Sequence, residues 1–236
     1  MLIKFNSIFI GEYLYFLPDF FFCTSIFMLL CFSIYFQRKI KSLFLNTLII
    51  DLTLPLLILS FLLTYSASHV NVFTEFSSIL LDKMYNFFKL FFIIFLFLCF
   101  IYSRNYFLYE KIFLYEYPFL ILLSVQGSFL LLMSYDLFFI YLALELQNLC
   151  FYVLASIKRY SSFSTEAGLK YFLLGAFSSS LFLFGVSILY GIFGTLNLFD
   201  ISFIISFYDI HSPILFISVF FLLSGLIFKL GGAPFH

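Results

Sequence analysis

The chain carries ionisable side chains inside segments that are otherwise apolar, and such residues can bind and release protons. Glu145 lies near the middle of FFIYLALELQNLCFYVLASI, which runs from Phe138 to Ile157. A carboxylate in apolar surroundings can hold or lose a proton, because burial favours its neutral form and a nearby cation favours its charged form. Ionisable residues within membrane helices are costly and are usually functional. We therefore predict a proton site at Glu145, with a helix–helix hydrogen-bond anchor as the alternative.

A polar stripe surrounds this acid if the segment is helical. At 100° per residue, Tyr141, Asn148 and Tyr152 lie on the same side of the helix as Glu145. The rest of the helix is apolar, so we expect this stripe to face protein or water.

Two lysines are the candidate basic partners of the acid. Lys170 lies in STEAGLKYFLLGAF, roughly 9 Å below the membrane surface at about 1.5 Å of rise per residue. It could instead extend to that surface, or pair with Glu166 one turn earlier. Lys229 lies at the end of an apolar segment, LSGLIFKLGGAPFH. Its alternative is a helix end whose lysine reaches the membrane surface.

The residues after Lys229 predict a broken helix. Gly231, Gly232 and Pro234 disfavour continuation of the helix. Non-helical backbone at membrane depth is tolerated only against protein or a water-filled cavity. A cation beside such a break is a recurring feature of ion and proton pathways.

Composition requires that membrane helices position these residues. Of the 236 residues, 64% are hydrophobic and only 10% are charged, whereas soluble domains carry roughly 25% charged residues. The apolar runs are continuous and do not alternate, which favours helices over a barrel. We predict an all-α polytopic membrane protein with about seven spans. The predicted spans are Leu14–Phe36, Phe44–Tyr65, Phe87–Tyr102, Pro118–Ser134, Leu137–Ile157, Thr165–Tyr190 and Pro213–Leu230.

The distribution of basic residues predicts the orientation. Seven basic residues fall on one side, namely Arg38, Lys39, Lys41, Arg104, Lys111, Lys158 and Arg159. Three fall on the other, namely Lys4, Lys83 and Lys89. The positive-inside rule then places the N-terminus outside, in the periplasm or intermembrane space. The two longest loops, Ser66–Asn86 and Gly191–Ser212, are predicted to lie outside as well.

Other chemistry finds no support in the sequence. The four cysteines lack the C-x-x-C spacing of metal or redox sites, and His69 and His211 lack partner spacing for a metal or haem. No glycine-rich phosphate loop, flavin motif or iron–sulfur spacing is found. We read Asp51, near the start of its span, as a cap or interfacial acid. The small residues of the sixth span, such as Gly175 and Ser178, predict close helix packing without chemistry.

Two stretches carry a family resemblance. LELQNLCFYVLASIKRYSSFSTEAGLKYFLLGAFSSSLFLFGVSILYGIFGTLNLFDI closely resembles subunit 2 of mitochondrial NADH:ubiquinone oxidoreductase, respiratory complex I, and FKLGGAPFH is similar to that family's next signature. The resemblance runs from about Pro118 to His236. The first three spans match in hydropathy alone.

The resemblance implies an antiporter-like fold of two inverted five-helix repeats, each with a broken helix. It implies a proton path through Glu145, the acid of the fifth helix, Lys229, the lysine of the first broken helix, and Lys170, the lysine of the sixth. Pro234 and His236 match the break motif together with Gly231 and Gly232. The implied location is the mitochondrial inner membrane, with the N-terminus facing the intermembrane space. FMN, iron–sulfur clusters, NADH and ubiquinone would be handled elsewhere in the complex, and this chain would bind no cofactor.

The predicted organisation follows from this match. Residues 1–116 form three N-terminal helices, and residues 117–236 form helices four to seven of an incomplete first repeat. The family continues beyond this motif, so the resemblance implies a split or a truncated form. For the split form we expect a separate chain resembling the C-terminal half, alongside other membrane-arm subunits. Nucleic acid is not an expected partner. A secondary cation/proton antiporter and a purely structural membrane-arm protein remain alternatives.

Overall fold

The computed structural model shows a chain built of helices, as the sequence predicts. It describes residues 2–37, 42–68, 74–76, 79–81, 83–110, 116–158, 160–207 and 213–232. The helices within these ranges are α1 (Leu2–Gln37), α2 (Ser42–Ser68), α3 (Lys83–Glu110), α4 (Tyr117–Met133), α5 (Leu137–Ala155), α6 (Ser162–Phe193), α7 (Leu198–Phe207) and α8 (Pro213–Lys229). Two paired three-residue strands, β1 (Thr74–Phe76) and β2 (Ile79–Leu81), lie between α2 and α3.

Five of these helices, α1, α2, α3, α5 and α6, are long and apolar enough to cross a membrane. The helices α4 and α8 have 17 residues each, slightly fewer than the roughly 20 residues that a bilayer core requires. Each of the seven predicted spans therefore corresponds to a helix. The all-helical, multi-span prediction is confirmed.

The helix α7 corrects the loop predicted at Gly191–Ser212. Its start is fixed by hydrogen bonds, because the Asn197 side chain accepts from the Phe199 N–H at 2.9 Å and the Leu198 N–H donates to the Tyr135 carbonyl at 3.2 Å. Its ten residues span only about 15 Å, so it is too short to cross a bilayer. A search for long apolar runs does not find such a helix.

The chain divides into two compact units. One comprises residues 1–75 and 80–129, and the other comprises residues 76–79 and 130–236. The sequence sets its boundary between residues 116 and 117, before the fourth helix. The compact units divide inside α4, between residues 129 and 130, and the predicted grouping of the helices stays a prediction.

The first unit has an apolar core formed by α1, α2, α3 and the first part of α4. Phe22, Ile49, Phe100 and Phe129 are among its buried members. Lys89 of α3 is buried at the edge of this core, with 1% of its surface exposed. This position corrects its assignment to the outer surface. Without Lys89, seven basic residues remain on the predicted inner side and two on the predicted outer side. The orientation predicted by the positive-inside rule is therefore unchanged and stays a prediction.

The second unit has its own apolar core. Leu137 of α5, Phe182 and Leu189 of α6 and Ile201 of α7 are buried in it. The helix α6 packs against both α5 and α8. It therefore positions the two helices that carry the predicted acid and the predicted lysine.

Candidate functional site

The polar stripe of α5 is present in the structure. The helix begins after Asp136, whose carboxylate accepts a hydrogen bond from the Phe138 N–H at 3.2 Å. This is a typical N-cap. Glu145 and Asn148 follow on one face and are partly buried, and Tyr152 is buried. At the N-terminal end of the stripe, Tyr141 stacks on Phe182 of α6, with ring centroids 6.4 Å apart.

Glycines bring α6 close to α5. A Cβ atom on Gly168 would lie 2.6 Å from the Ser156 Cβ, and a Cβ on Gly175 would overlap the Tyr152 hydroxyl. The absence of side chains at these two positions leaves space for α5 residues. The sixth span, predicted to pack closely, therefore packs against α5 and the residue that follows it. At Gly175 the contact is with Tyr152, a residue of the polar stripe.

The helix α8 ends at Lys229, and Gly231 adopts a left-handed conformation with φ 66°. The Gly231 N–H donates to the Phe228 carbonyl at 3.1 Å, and the Gly232 N–H donates to the Ile227 carbonyl at 3.0 Å. Glycine is suited to this left-handed position. The chain therefore leaves the helix directly after the lysine. Pro234 and His236, which complete the predicted break motif, lie outside the described residues.

A cavity of about 220 Å³ lies among α5, α6 and α8. A cavity of this size has room for several water molecules beside its polar lining groups. The residues that line it are Asn148, Tyr152, Tyr171, Leu174, Gly175, Ser178, Phe228, Lys229 and Gly231.

Several buried polar atoms of this region have no hydrogen-bond partner among the described residues. They are Glu145 Oε1, Asn148 Nδ2, Tyr152 Oη and Lys229 Nζ. Buried polar atoms normally have protein or water partners. A cavity bordered by such atoms is therefore a favourable place for ordered water.

Glu145 and Lys229 lie within electrostatic range of each other. Glu145 interacts electrostatically with Lys229, as well as with Tyr141 and Tyr152. Glu145 Oε1 and Lys229 Nζ nevertheless make no hydrogen bond within the described residues. The two charged groups are thus coupled through space, with the amide of Asn148 and the hydroxyl of Tyr152 beside them.

Lys170 is not brought to this cavity. Its Nζ lies 2.6 Å from Glu166 Oε1 one helical turn earlier, and the two side chains are 71% and 60% exposed. This is the helical ion pair that the sequence offers as an alternative for Lys170. Of the three predicted path residues, the structure brings two together.

The sequence did not identify the contribution of α6. Tyr171, Gly175 and Ser178 line the cavity. The sequence predicts only a packing role for Gly175 and Ser178. The signal was present, because spacings of four and three residues put all three on one helical face. The spacing that identifies the stripe on α5 thus also identifies these three residues on α6.

Replacing Gly175 by alanine is expected to displace the Tyr152 ring. The new Cβ would overlap the hydroxyl and lie 2.5 Å from Cζ, and added volume in packed regions costs about 1–3 kcal/mol. The assembled amount and thermal stability of the protein should fall. Gly191→Ala is the control, since no atom lies within 4 Å of its new Cβ. Equal stability of the two variants would contradict this packing.

Comparison with known proteins agrees with these features. Residues 134–236 match the family described as "NADH:quinone oxidoreductase/Mrp antiporter, TM". NADH-ubiquinone oxidoreductase chain 2 of Marchantia polymorpha is 46% identical over 137 residues, covering 56% of this chain and 28% of the relative. NADH-quinone oxidoreductase subunit N of Ruthia magnifica is 34% identical over 223 residues, covering 93% of this chain and 45% of the relative. The chain thus spans less than half the length of these relatives.

Two solved structures share the fold. A chain of respiratory complex I from Thermus thermophilus matches 90% of this chain and 45% of its own length, at 26% identity and a TM-score of 0.60. A chain of the Mrp complex from a Dietzia species matches 96% of this chain and 42% of its own length, at 18% identity and a TM-score of 0.66. The fold therefore resembles the antiporter-like subunits of complex I and Mrp, and over about half its length this chain is homologous to NADH-ubiquinone oxidoreductase chain 2.

Proposed function

We propose that this chain is a proton-translocating membrane-arm subunit of respiratory complex I and that protons move between Glu145 and Lys229. The observation that carries the proposal is the cavity that Lys229, Asn148 and Tyr152 line. Asn148 lies one helical turn after Glu145, so in this proposal water in the cavity connects the acid with the base. The homology to complex I subunits supports the assignment to that complex.

The mechanism depends on the separation of the two charges. When the carboxylate of Glu145 and the ammonium of Lys229 are close, each stabilises the charged form of the other. When they separate, burial favours both neutral forms, and a proton can pass from the lysine into the cavity. Water and the Tyr152 hydroxyl can both accept and donate a proton there.

The driving energy comes from other subunits in this proposal. NADH oxidation and ubiquinone reduction, with FMN and iron–sulfur clusters, take place elsewhere in the complex, and this chain binds none of these groups. Other membrane-arm subunits are its proposed partners. The proposed location is the mitochondrial inner membrane, with the N-terminus facing the intermembrane space.

Lys170 enters the proposed path through its motif alone. Its exposed ion pair with Glu166 separates it from the cavity in this arrangement. It would contribute as a third proton carrier only if the pair with Glu166 opens. We therefore place the two ends of the path at Glu145 and Lys229.

Glu145→Gln tests the proposed function. Glutamine keeps the size and polarity of the side chain but cannot bind and release a proton. The complex should assemble and oxidise NADH, yet pump fewer protons per NADH in reconstituted vesicles. Asp200→Asn is the control, because it removes an exposed carboxylate of α7 that the proposed path does not use. Unchanged stoichiometry in Glu145→Gln would support a purely structural role instead.

A secondary cation/proton antiporter is the second candidate function. The similarity in fold to a chain of the Mrp complex favours it, and the family that matches residues 134–236 includes both kinds of protein in its description. Co-purification with NADH-oxidising activity would support the complex I assignment. Cation/proton exchange by a complex that does not oxidise NADH would support the antiporter.

A further inference from the structure

A second acid–base cluster is buried in the first unit, and the proposed proton path does not use it. Asp19 of α1 accepts two hydrogen bonds from α3 on its Oδ1 atom. One comes from Lys89 Nζ at 2.6 Å and the other from the Tyr85 hydroxyl at 2.7 Å. The lysine and aspartate side chains are 1% and 8% exposed. The cluster is thus removed from solvent in otherwise apolar helices.

The second carboxylate oxygen of Asp19 is left without a partner. Asp19 Oδ2 is buried and accepts no hydrogen bond within the described ranges. A carboxylate has about four lone-pair positions, and here both donors use the same oxygen. Oδ2 is therefore the atom on which a proton can bind without displacing Lys89 or Tyr85.

Aromatic rings stabilise the lysine independently of the charge on Asp19. The Lys89 Nζ lies 5.3 Å from the centre of the Tyr85 ring and 5.4 Å from the centre of the Phe129 ring. An ammonium within about 6 Å of a ring centre is attracted to the face of that ring, more strongly when desolvated. These ring contacts favour the charged lysine in addition to its pairing with Asp19.

We propose that Asp19 is a second proton-binding residue of this chain, with Lys89 as its fixed counter-ion. Proton uptake forms an O–H bond at Oδ2 and converts the carboxylate to a carboxylic acid. Lys89 keeps its own proton, so the net charge of the cluster changes from zero to plus one. Release breaks the same O–H bond and restores the ion pair. No oxidant, reductant or other reactant takes part.

Two buried amides lie one helical turn from Lys89 or from a residue that contacts it. Asn86 lies one turn before Lys89 on α3, and Gln126 lies one turn before Phe129 on α4. Both side chains are buried, and Asn86 Nδ2 and Gln126 Oε1 have no partner among the described residues. Buried amide groups of this kind bind ordered water, through which a proton can reach an enclosed carboxylate.

The surrounding charges are few. Among the residues whose side chains the structure describes, the titratable groups that contact Asp19 are Tyr85 and Lys89, both on α3. The helix α2 also packs against α1, and its one charged residue, Asp51, is bound to Arg104 at 3.0 Å. Binding of a proton at Asp19 therefore depends on the α1–α3 cluster itself.

Infrared difference spectra of the purified full complex, recorded between two pH values, test the proposal. A protonated carboxyl group in apolar surroundings gives a C=O stretching band that moves to lower frequency in D₂O. We expect one component of this band to be lost in Asp19→Asn and kept in Glu145→Gln, which removes the carboxyl of the proposed proton path. Asp51→Asn should retain this component, because the Asp51 side chain is 41% exposed and is paired with Arg104.

Each outcome decides between a proton-binding site and a fixed structural ion pair. Loss of a carboxyl component in Asp19→Asn, with that component kept in Glu145→Gln, supports the proposal. An Asp19→Asn spectrum identical to that of the unmodified complex in this region overturns it. If Asp19→Asn does not assemble, the double variant Asp19→Asn with Lys89→Met leaves no unpaired buried charge and allows the same comparison. The readout does not depend on pumping by Glu145 and Lys229, so the two proposals can fail separately.

Discussion

Lys89→Met is expected to lower the amount of assembled protein sharply. It removes the cation that neutralises the buried Asp19 carboxylate. Removing one partner of a buried ion pair typically costs about 3–5 kcal/mol, because the other charge is left in a poorly polar environment. The total stability of a domain is only about 5–15 kcal/mol. The assembled amount and the thermal stability of the purified complex would measure the loss.

The matched control is Lys83→Met, which makes the same substitution on the same helix at an exposed position. We expect a small effect there. Adding Asp19→Asn to Lys89→Met should recover much of the loss, since it removes the stranded charge. Asp19→Asn alone should be milder than Lys89→Met, because Tyr85 and Phe129 still stabilise the ammonium. Equal stability of Lys89→Met and Lys83→Met would contradict the buried ion pair.

The difference between Lys83 and Lys89 shows what hydropathy can and cannot predict. Apolar run length predicts helices well, because a bilayer requires long apolar segments. It does not tell which side of a helix an interior lysine occupies. Hydropathy alone places Lys89 among the surface charges, because its partner, Asp19, lies 70 residues earlier in the chain and cannot be recognised from the local sequence. Only the packing of α1 against α3 brings them together.

The candidate site was predictable where one helix contains the signal. The stripe around Glu145 follows from spacing along α5, and the residues after Lys229 indicate the end of α8. Neither pattern decides between the two positions that the sequence offers for Lys170, the proton path and the pair with Glu166. In the structure the side chain is exposed and pairs with Glu166, and a single sequence does not show which face of α6 is covered by other helices.

The close contact between α6 and α8 leads to the second large expected effect. A Cβ on Gly185 would lie 2.8 Å from the Leu222 backbone nitrogen and 2.9 Å from the Ser218 carbonyl oxygen. A Cβ on Gly225 would lie 2.9 Å from the Ser178 carbonyl oxygen. Both glycines thus meet backbone atoms of the opposite helix. The clash cannot be relieved by side-chain rotation, so the helices themselves must move.

We expect Gly185→Ala and Gly225→Ala each to destabilise the second unit by about 1–3 kcal/mol, the usual cost of overpacking. Alanine favours a helix interior over glycine by about 0.5–1 kcal/mol, which offsets only part of this cost. Gly191→Ala, also on α6 but with no atom within 4 Å, should be neutral or slightly stabilising. Thermal unfolding of the purified complex would measure all three variants. A Gly185→Ala variant as stable as Gly191→Ala would show that α6 and α8 do not approach closely.

The double variant tests whether the two glycines belong to one interface. Gly185 meets Ser218 and Leu222, whereas Gly225 meets Ser178 and Phe182. The contacts run in opposite directions along the two helices, so α6 and α8 are antiparallel and share a single seam. Once one new methyl group has separated them, the second has more room. We therefore expect the double variant to cost less than the sum of the single variants, as coupled sites in contact commonly do. Full additivity would indicate that each glycine is accommodated locally, without movement of the helices.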